Sequence, residues 1–155
     1  MKYFKKGTQV FAFELNKSQD HLITSDMVRL TDAEAEAHIN PPKTLADLKK
    51  DKENEIRQRF ELDSNNAVSA LGLKWNGGFD SAIKLDAAMR LSQAAGAPNV
   101  VFFDLTNNPH LLSYADALNV VINVAGSFQI HLTKKQDLFV QISKATINTI
   151  NNIAW

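Results

Sequence analysis

No cysteine occurs anywhere in the 155 residues, which excludes disulfides, thiolate metal ligands and a cysteine nucleophile together. Neither sign of charge is in excess, because 17 basic and 17 acidic side chains cancel. Such a chain has no general attraction to phosphate backbones or anionic lipid. Its basic pairs Lys5-Lys6, Lys49-Lys50 and Lys134-Lys135 are short and scattered, so no nucleic acid and no membrane is expected as a partner. Long apolar runs are missing too. The start, MKYFKKGTQV, lacks the apolar core of a secretory signal. The least charged window, 117–133, is too short to span a bilayer and is broken by Asn119, Asn123, Gln129 and His131. A reducing, cytoplasmic setting fits these absences.

Motifs of catalysis and cofactor binding are equally scarce. The four histidines, His21, His38, His110 and His131, stand apart, with no HxxxH and no carboxylate at metal-ligand spacing. There is no GxxxxGK[ST], no GxGxxG and no GxSxG. Carboxylate pairs such as Glu34 with Glu36, and Glu53 with Glu55, lie on helical stretches rich in opposite charge and read as solvated faces. The expectation is therefore a non-enzymatic protein with no catalytic residue, no cofactor and no metal.

The composition that remains, 45% hydrophobic and 22% charged, is that of a folded globular chain rather than a disordered one. Residues 2–15 alternate around Gly7, with Phe11, Phe13 and Leu15 on one face, which predicts a β-hairpin, and Met27–Leu30 offers a third strand. Thr31 and Glu34 are spaced as a capping box opening a helix to about His38. Pro41-Pro42 closes it and marks a boundary between a module over 1–42 and a domain over 43–155. Leu45, Leu48, Ile56, Phe60, Ala67 and Leu71 predict a long amphipathic helix from Leu45 to about Ala70.

Asn76-Gly77-Gly78, flanked by Lys74-Trp75 and Phe79-Asp80, reads as a tight hairpin turn or a short bulged strand, and Asp80 or Ser81 as the cap of the next helix. Trp75 and Phe79 then have two uses, stacking on a sugar or peptide, or anchoring the hairpin in the core. The following helix ends at Gly96 and Pro98, and Val100–Leu105 and His110–Leu112 are short strands. Ser113 and Asp116 cap a last helix running almost to Trp155, whole or divided near Lys134. Its stripe passes through Leu118, Ile122, Ala125, Leu132, Phe139, Ile142 and Ile150. A hairpin around Gly126-Ser127 is the rival reading of 117–133. Helix is preferred because the spacing persists beyond both rival strands. The near-heptad stripe is an intramolecular or an oligomeric seam. The fold class expected is α+β: a small N-terminal β-rich module, then a mainly helical domain with two short β elements and a long C-terminal helix. Phe11, Phe13, Trp75, Leu118, Ile122, Phe139 and Ile150 are the candidate core or partner-contact residues.

From about Pro41 onward, the order of pieces resembles an uncharacterised domain family of tailed-phage tail proteins. Those pieces are a charged helix (51–70), a WNGxFD turn (75–80), an Ala-rich helix ending in Gly (85–96), a hairpin (100–113), a capped helix (114–132) and an LFxxIxxAT segment (138–146). Phe102 and Phe103 stand where that family often has Trp. MKYFKKGTQVFAFEL followed by SQDHLITSDMVRLTDAEAEAHINPP is similar to the N-terminal module of phage tail-fibre and fibre-assembly proteins. The resemblance implies protein-protein recognition in tail-fibre assembly or attachment, as a fibre chaperone or a small structural tail component. The alternative it implies is a glycan-recognising tip. The implied partner is a tail fibre, another tail protein or a further copy of this chain, with a trimer among the states. The implied setting is the host cytoplasm during assembly and then the virion tail. No catalytic residue comes with it.

Overall fold

The computed structural model describes all residues, 1–155. It is an α+β structure, and the chain divides into two compact units between Thr44 and Leu45.

In the first unit β1 (Lys2–Lys6) and β2 (Gln9–Phe13) form an antiparallel hairpin whose turn needs the positive φ of Gly7, +62°. β3 (Val28–Arg29) pairs with the other edge of β1, giving the order β2-β1-β3. Phe13 is buried edge-on against Phe4, with ring centroids 5.7 Å apart. Leu15 does not join this face, because the strand stops at Phe13 and leaves Leu15 exposed. α1 (Asp32–Ile39) opens with the expected capping box: the Glu34 amide donates to Thr31 Oγ1 at 3.2 Å and the Thr31 amide to Glu34 Oε2 at 2.8 Å. The Thr31 amide, helped by the Thr31 hydroxyl, holds the Glu34 carboxyl below its ordinary pKa.

The second unit begins with α2 (Leu45–Ser64), which buries Ile56, Phe60 and Ser64 at one-turn intervals. The helix also carries Lys52–Glu55, Arg57–Glu53 and Arg59–Asp63 ion pairs. The helix stops at Ser64, not near Ala70. The Asn65 side-chain amide donates to the Glu61 carbonyl at 2.7 Å, satisfying one of the last-turn acceptors. The residues beyond it form a strand, β4 (Val68–Ala70), paired with β5 (Leu73–Trp75). The hairpin turn is therefore Leu71-Gly72, with φ of +54° and +75° as a two-residue primed turn requires.

Asn76-Gly77-Gly78 is correspondingly not a hairpin tip but the passage from β5 into α3 (Phe79–Ala94). Its glycines serve a close approach. A Cβ on Gly77 would collide with the backbone carbonyl of Asn66, and one on Gly78, at φ +91°, with the Asn65 side chain. Gly78 is the N-cap of α3, in place of the expected Asp80 or Ser81. At its other end the Gly96 amide donates to Gln93 and the Ala97 amide to the Ser92 carbonyl, a Schellman closure with Gly96 at φ +74°.

β6 (Val100–Phe103) and β7 (Pro109–Leu112) form a second hairpin, and α4 (Tyr114–Lys144) follows, capped by Ser113 Oγ accepting from the Asp116 amide at 3.1 Å. Residues 117–133 are thus helix. α4 spans two apolar clusters of this unit. Its first half packs Ala117, Val120, Val121 and Val124 against Trp75, Met89, Val100 and Phe102. Its second half packs Leu138 and Ile142 against Ile56, Ile150 and Ile153. In the first half the buried face lies one position away from the expected stripe, since Leu118 and Ile122 are left outside, whereas Ile142 in the second half is buried as expected. The helix ends at Lys144 rather than near Trp155: Thr149 Oγ1 accepts from the Thr146 amide at 2.9 Å, and a 3-10 turn at Ile150–Asn152 carries the chain back over α2. No helix is long and apolar enough to cross a membrane.

Candidate functional site

The seven residues expected in the core or at a partner contact separate cleanly. Phe13 and Ile150 are buried, and Phe11 is half-buried in β2. Phe139 is half-buried beneath the Arg57 guanidinium, 4.7 Å from its ring centre. Trp75 is 0% exposed, its indole nitrogen donating to the Ala70 carbonyl at 2.9 Å and its ring meeting Phe102 and His110 edge-on. Leu118 and Ile122, by contrast, are 45% and 59% exposed.

Those two residues are one turn apart on α4, and the same face continues through Ala125 and Gln129 to Leu132. There it becomes one wall of a groove of about 380 Å³ whose other wall is α3, through Phe79 and Ile83. Phe79 leans on Phe128 at 5.3 Å between centroids yet stays exposed, as does Ile83. The Asp86–Arg90 ion pair borders the groove. The sequence places Phe79 on an arm of the turn, as a stacking or anchoring side chain, and does not single out Ile83. The signal that would have found both is their helical spacing of four, visible once the helix starts at Phe79 rather than after Asp80. Apolar side chains along two neighbouring helices, rimmed by charge, make a surface suited to another protein's helix.

Two polar clusters have structural roles. Asp104 is buried and accepts from the Thr106 and Asn108 amides at 2.8 and 2.9 Å, and its second oxygen lies 3.0 Å from His110 Nε2. The His110 bond, then the Asn108 amide, push its carboxyl well below the usual carboxylate range. This network closes the β6–β7 loop. At the other end of the unit Trp155 stacks on His131, 6.0 Å between centroids, under the Lys134 ammonium at 4.7 Å. No three His, Asp or Glu side chains converge in a way that would hold a metal ion. No family model matches this sequence, and neither a curated protein nor a solved structure shows significant similarity to it.

Proposed function

We propose that this chain is a non-enzymatic phage tail protein that acts by recognising another protein during tail-fibre assembly or attachment. The observation that carries the recognition reading is the exposure of Leu118 and Ile122 on a face running into the α3–α4 groove. A branched apolar pair left in water on a well-packed helix gains most from a partner that covers it, at about 25 cal/mol per Å² of apolar surface removed. The phage setting comes from the resemblance in the order of sequence pieces. It implies a tail fibre, another tail protein or a second copy of the chain as partner, met in the host cytoplasm or on the virion tail. Trp75 offers no face to a sugar, so the glycan-binding alternative would rest on the exposed Phe79 and the half-buried Trp155.

The test is solution mass by light scattering over a hundredfold dilution, alone and with purified tail-fibre polypeptide, for the native chain and for Leu118→Asp/Ile122→Asp. A trimer that resists dilution, and that the variant abolishes, makes the chain a structural piece of the tail. A monomer that gains the mass of the fibre polypeptide through the same stripe makes it an assembly factor. A monomer whose mass is unchanged by the fibre polypeptide overturns the reading.

A further inference from the structure

The strand β6 has one open edge. The Asp104 amide donates to the Asn108 carbonyl at 3.0 Å, and the register pairs Phe102 with His110 and Val100 with Leu112. In an antiparallel ladder hydrogen-bonded and non-bonded pairs alternate. Residues 104, 102 and 100 therefore aim their backbone groups at β7, and Val101 and Phe103 aim theirs the other way. Pro109 agrees with this parity, since it lies opposite Phe103 in a non-bonded pair where no amide is needed. On the open side the Leu105 amide reaches the Lys74 carbonyl of β5 at 2.8 Å, after which β5 ends and the chain turns away at Asn76. The amides and carbonyls of Val101 and Phe103 have no backbone partner beyond that point.

The two edges of this hairpin are guarded differently. Pro109 faces outward on β7 and blunts that edge, whereas β6 reads Val-Val-Phe-Phe with no proline and no charge. Val101 and Phe103 are 46% and 57% exposed. Alongside the edge lies a cavity of about 390 Å³ between β6 and α3, walled by Leu85, Ala88, Val101 and Phe103 above the buried Trp75 and Phe102. That volume is in the range of pockets that bury a bound group. Lys84 lies at this cavity, exposed, and pairs with no carboxylate.

We propose that the β6 edge and the cavity beside it receive an extended, acidic segment of a partner protein as an added strand, with an apolar side chain in the cavity and a carboxylate on Lys84. The open backbone groups supply the main-chain hydrogen bonds of strand addition, the cavity supplies side-chain selection at alternate positions, and the free cation selects the charge. This site is separate from the α4 stripe and does not rest on the phage assignment.

The experiment uses the full chain. Amide exchange by NMR is expected to be slow at Phe102 and fast at Val101 and Phe103. A displayed random-heptapeptide library selected on the protein is expected to enrich sequences with an apolar residue near an Asp or Glu. Binding of one synthesised winner should slow exchange at Val101 and Phe103. Val101→Pro removes the outward amide without touching the ladder, and Ala88→Leu fills the cavity; each is expected to weaken the winner at least about tenfold, and Lys84→Glu to weaken acidic winners by about the same factor. Should Val101→Pro lose the Phe102 protection that marks an intact ladder, Ala88→Leu decides. The proposal is overturned by slow exchange at Val101 and Phe103 in the free monomer, by the absence of enrichment, or by winners that bind Ala88→Leu as well as the native chain. Protection of the edge that grows with protein concentration, without peptide, would give it to a second copy of the chain and likewise overturn the proposal.

Discussion

The Trp155 indole nitrogen donates to Asp63 Oδ2 at 2.6 Å, tying the last residue to the last turn of α2. The same carboxylate takes Arg59 at 3.1 Å, and the indole ring stacks on His131 and meets Phe60 edge-on. One side chain therefore holds α2, α4 and the returning tail together.

Two substitutions separate the parts of that clamp. Trp155→Phe keeps a ring against His131 and Phe60 but drops the hydrogen bond, and should cost about 1 kcal/mol. Trp155→Ala also removes the packing and should cost about 3 kcal/mol. Urea unfolding followed by far-ultraviolet dichroism measures both. Equal losses for the two variants would mean that the bond, not the ring, carries the contact.

The glycine pair after Trp75 makes a sharper prediction. Gly77→Ala places a methyl into the Asn66 carbonyl, a backbone atom that no rotamer change can move aside. Roughly 3 kcal/mol of destabilisation is expected. Gly72→Ala has open space around it and only its positive φ against it, so it should cost about 1 kcal/mol. Thermal unfolding of the two variants side by side is the check, and a Gly72 variant hurt as badly as the Gly77 variant would refute the steric account.

Asp104 gives the fold a dependence on acid. Its pKa is lowered in the native state, first by the His110 hydrogen bond and next by the Asn108 amide, whereas an unfolded aspartate titrates near about 3.9. A depressed native pKa means that the carboxylate stabilises the fold fully above about pH 4, and that this stability is lost as pH falls from there toward the native value. Asp104→Asn should lower the urea midpoint at pH 7 and at pH 5, with the gap to the native chain narrowing by pH 3. A gap that stays constant with pH would show that the charge of Asp104 is not what holds the loop.

What the sequence made legible was local. Thr31 with Glu34 and Ser113 with Asp116 are short-range caps, set by side chains three residues apart, and both appear in the structure as read. What it hid was decided at a distance or by a rare conformation. Leu71 sits at positive φ, which few non-glycine residues adopt, so Asn76-Gly77 drew the turn assignment away from Leu71-Gly72. Along the first half of α4 the stripe is ambiguous by one position, because Leu118–Ile122 and Ala117–Val121 both satisfy helical spacing, whereas Ile142 and Ile150 farther on are buried as the spacing requires. Only the partners supplied by α3 and the two hairpins select Ala117–Val121. Of the candidate core or contact residues, Leu118 and Ile122 are the two left outside, on a stripe whose spacing allowed either an intramolecular or an oligomeric seam.

That exposure leads to the prediction on which the recognition surface depends. Leu118→Asp and Ile122→Asp replace exposed side chains on a face that no other element of this unit covers, so neither should change the stability of the isolated chain by more than about 0.5 kcal/mol. Val121→Asp, one position away, buries a carboxylate among Trp75, Met89 and Val124 and should cost about 3 kcal/mol or more. Chemical unfolding separates the two classes. If Ile122→Asp destabilised the chain as Val121→Asp does, the Leu118–Ile122 face would be part of the core and no surface would be left on α4 for a partner. If it leaves the unfolding curve in place and abolishes association with a tail-fibre polypeptide or a further copy, the same residue separates folding from recognition.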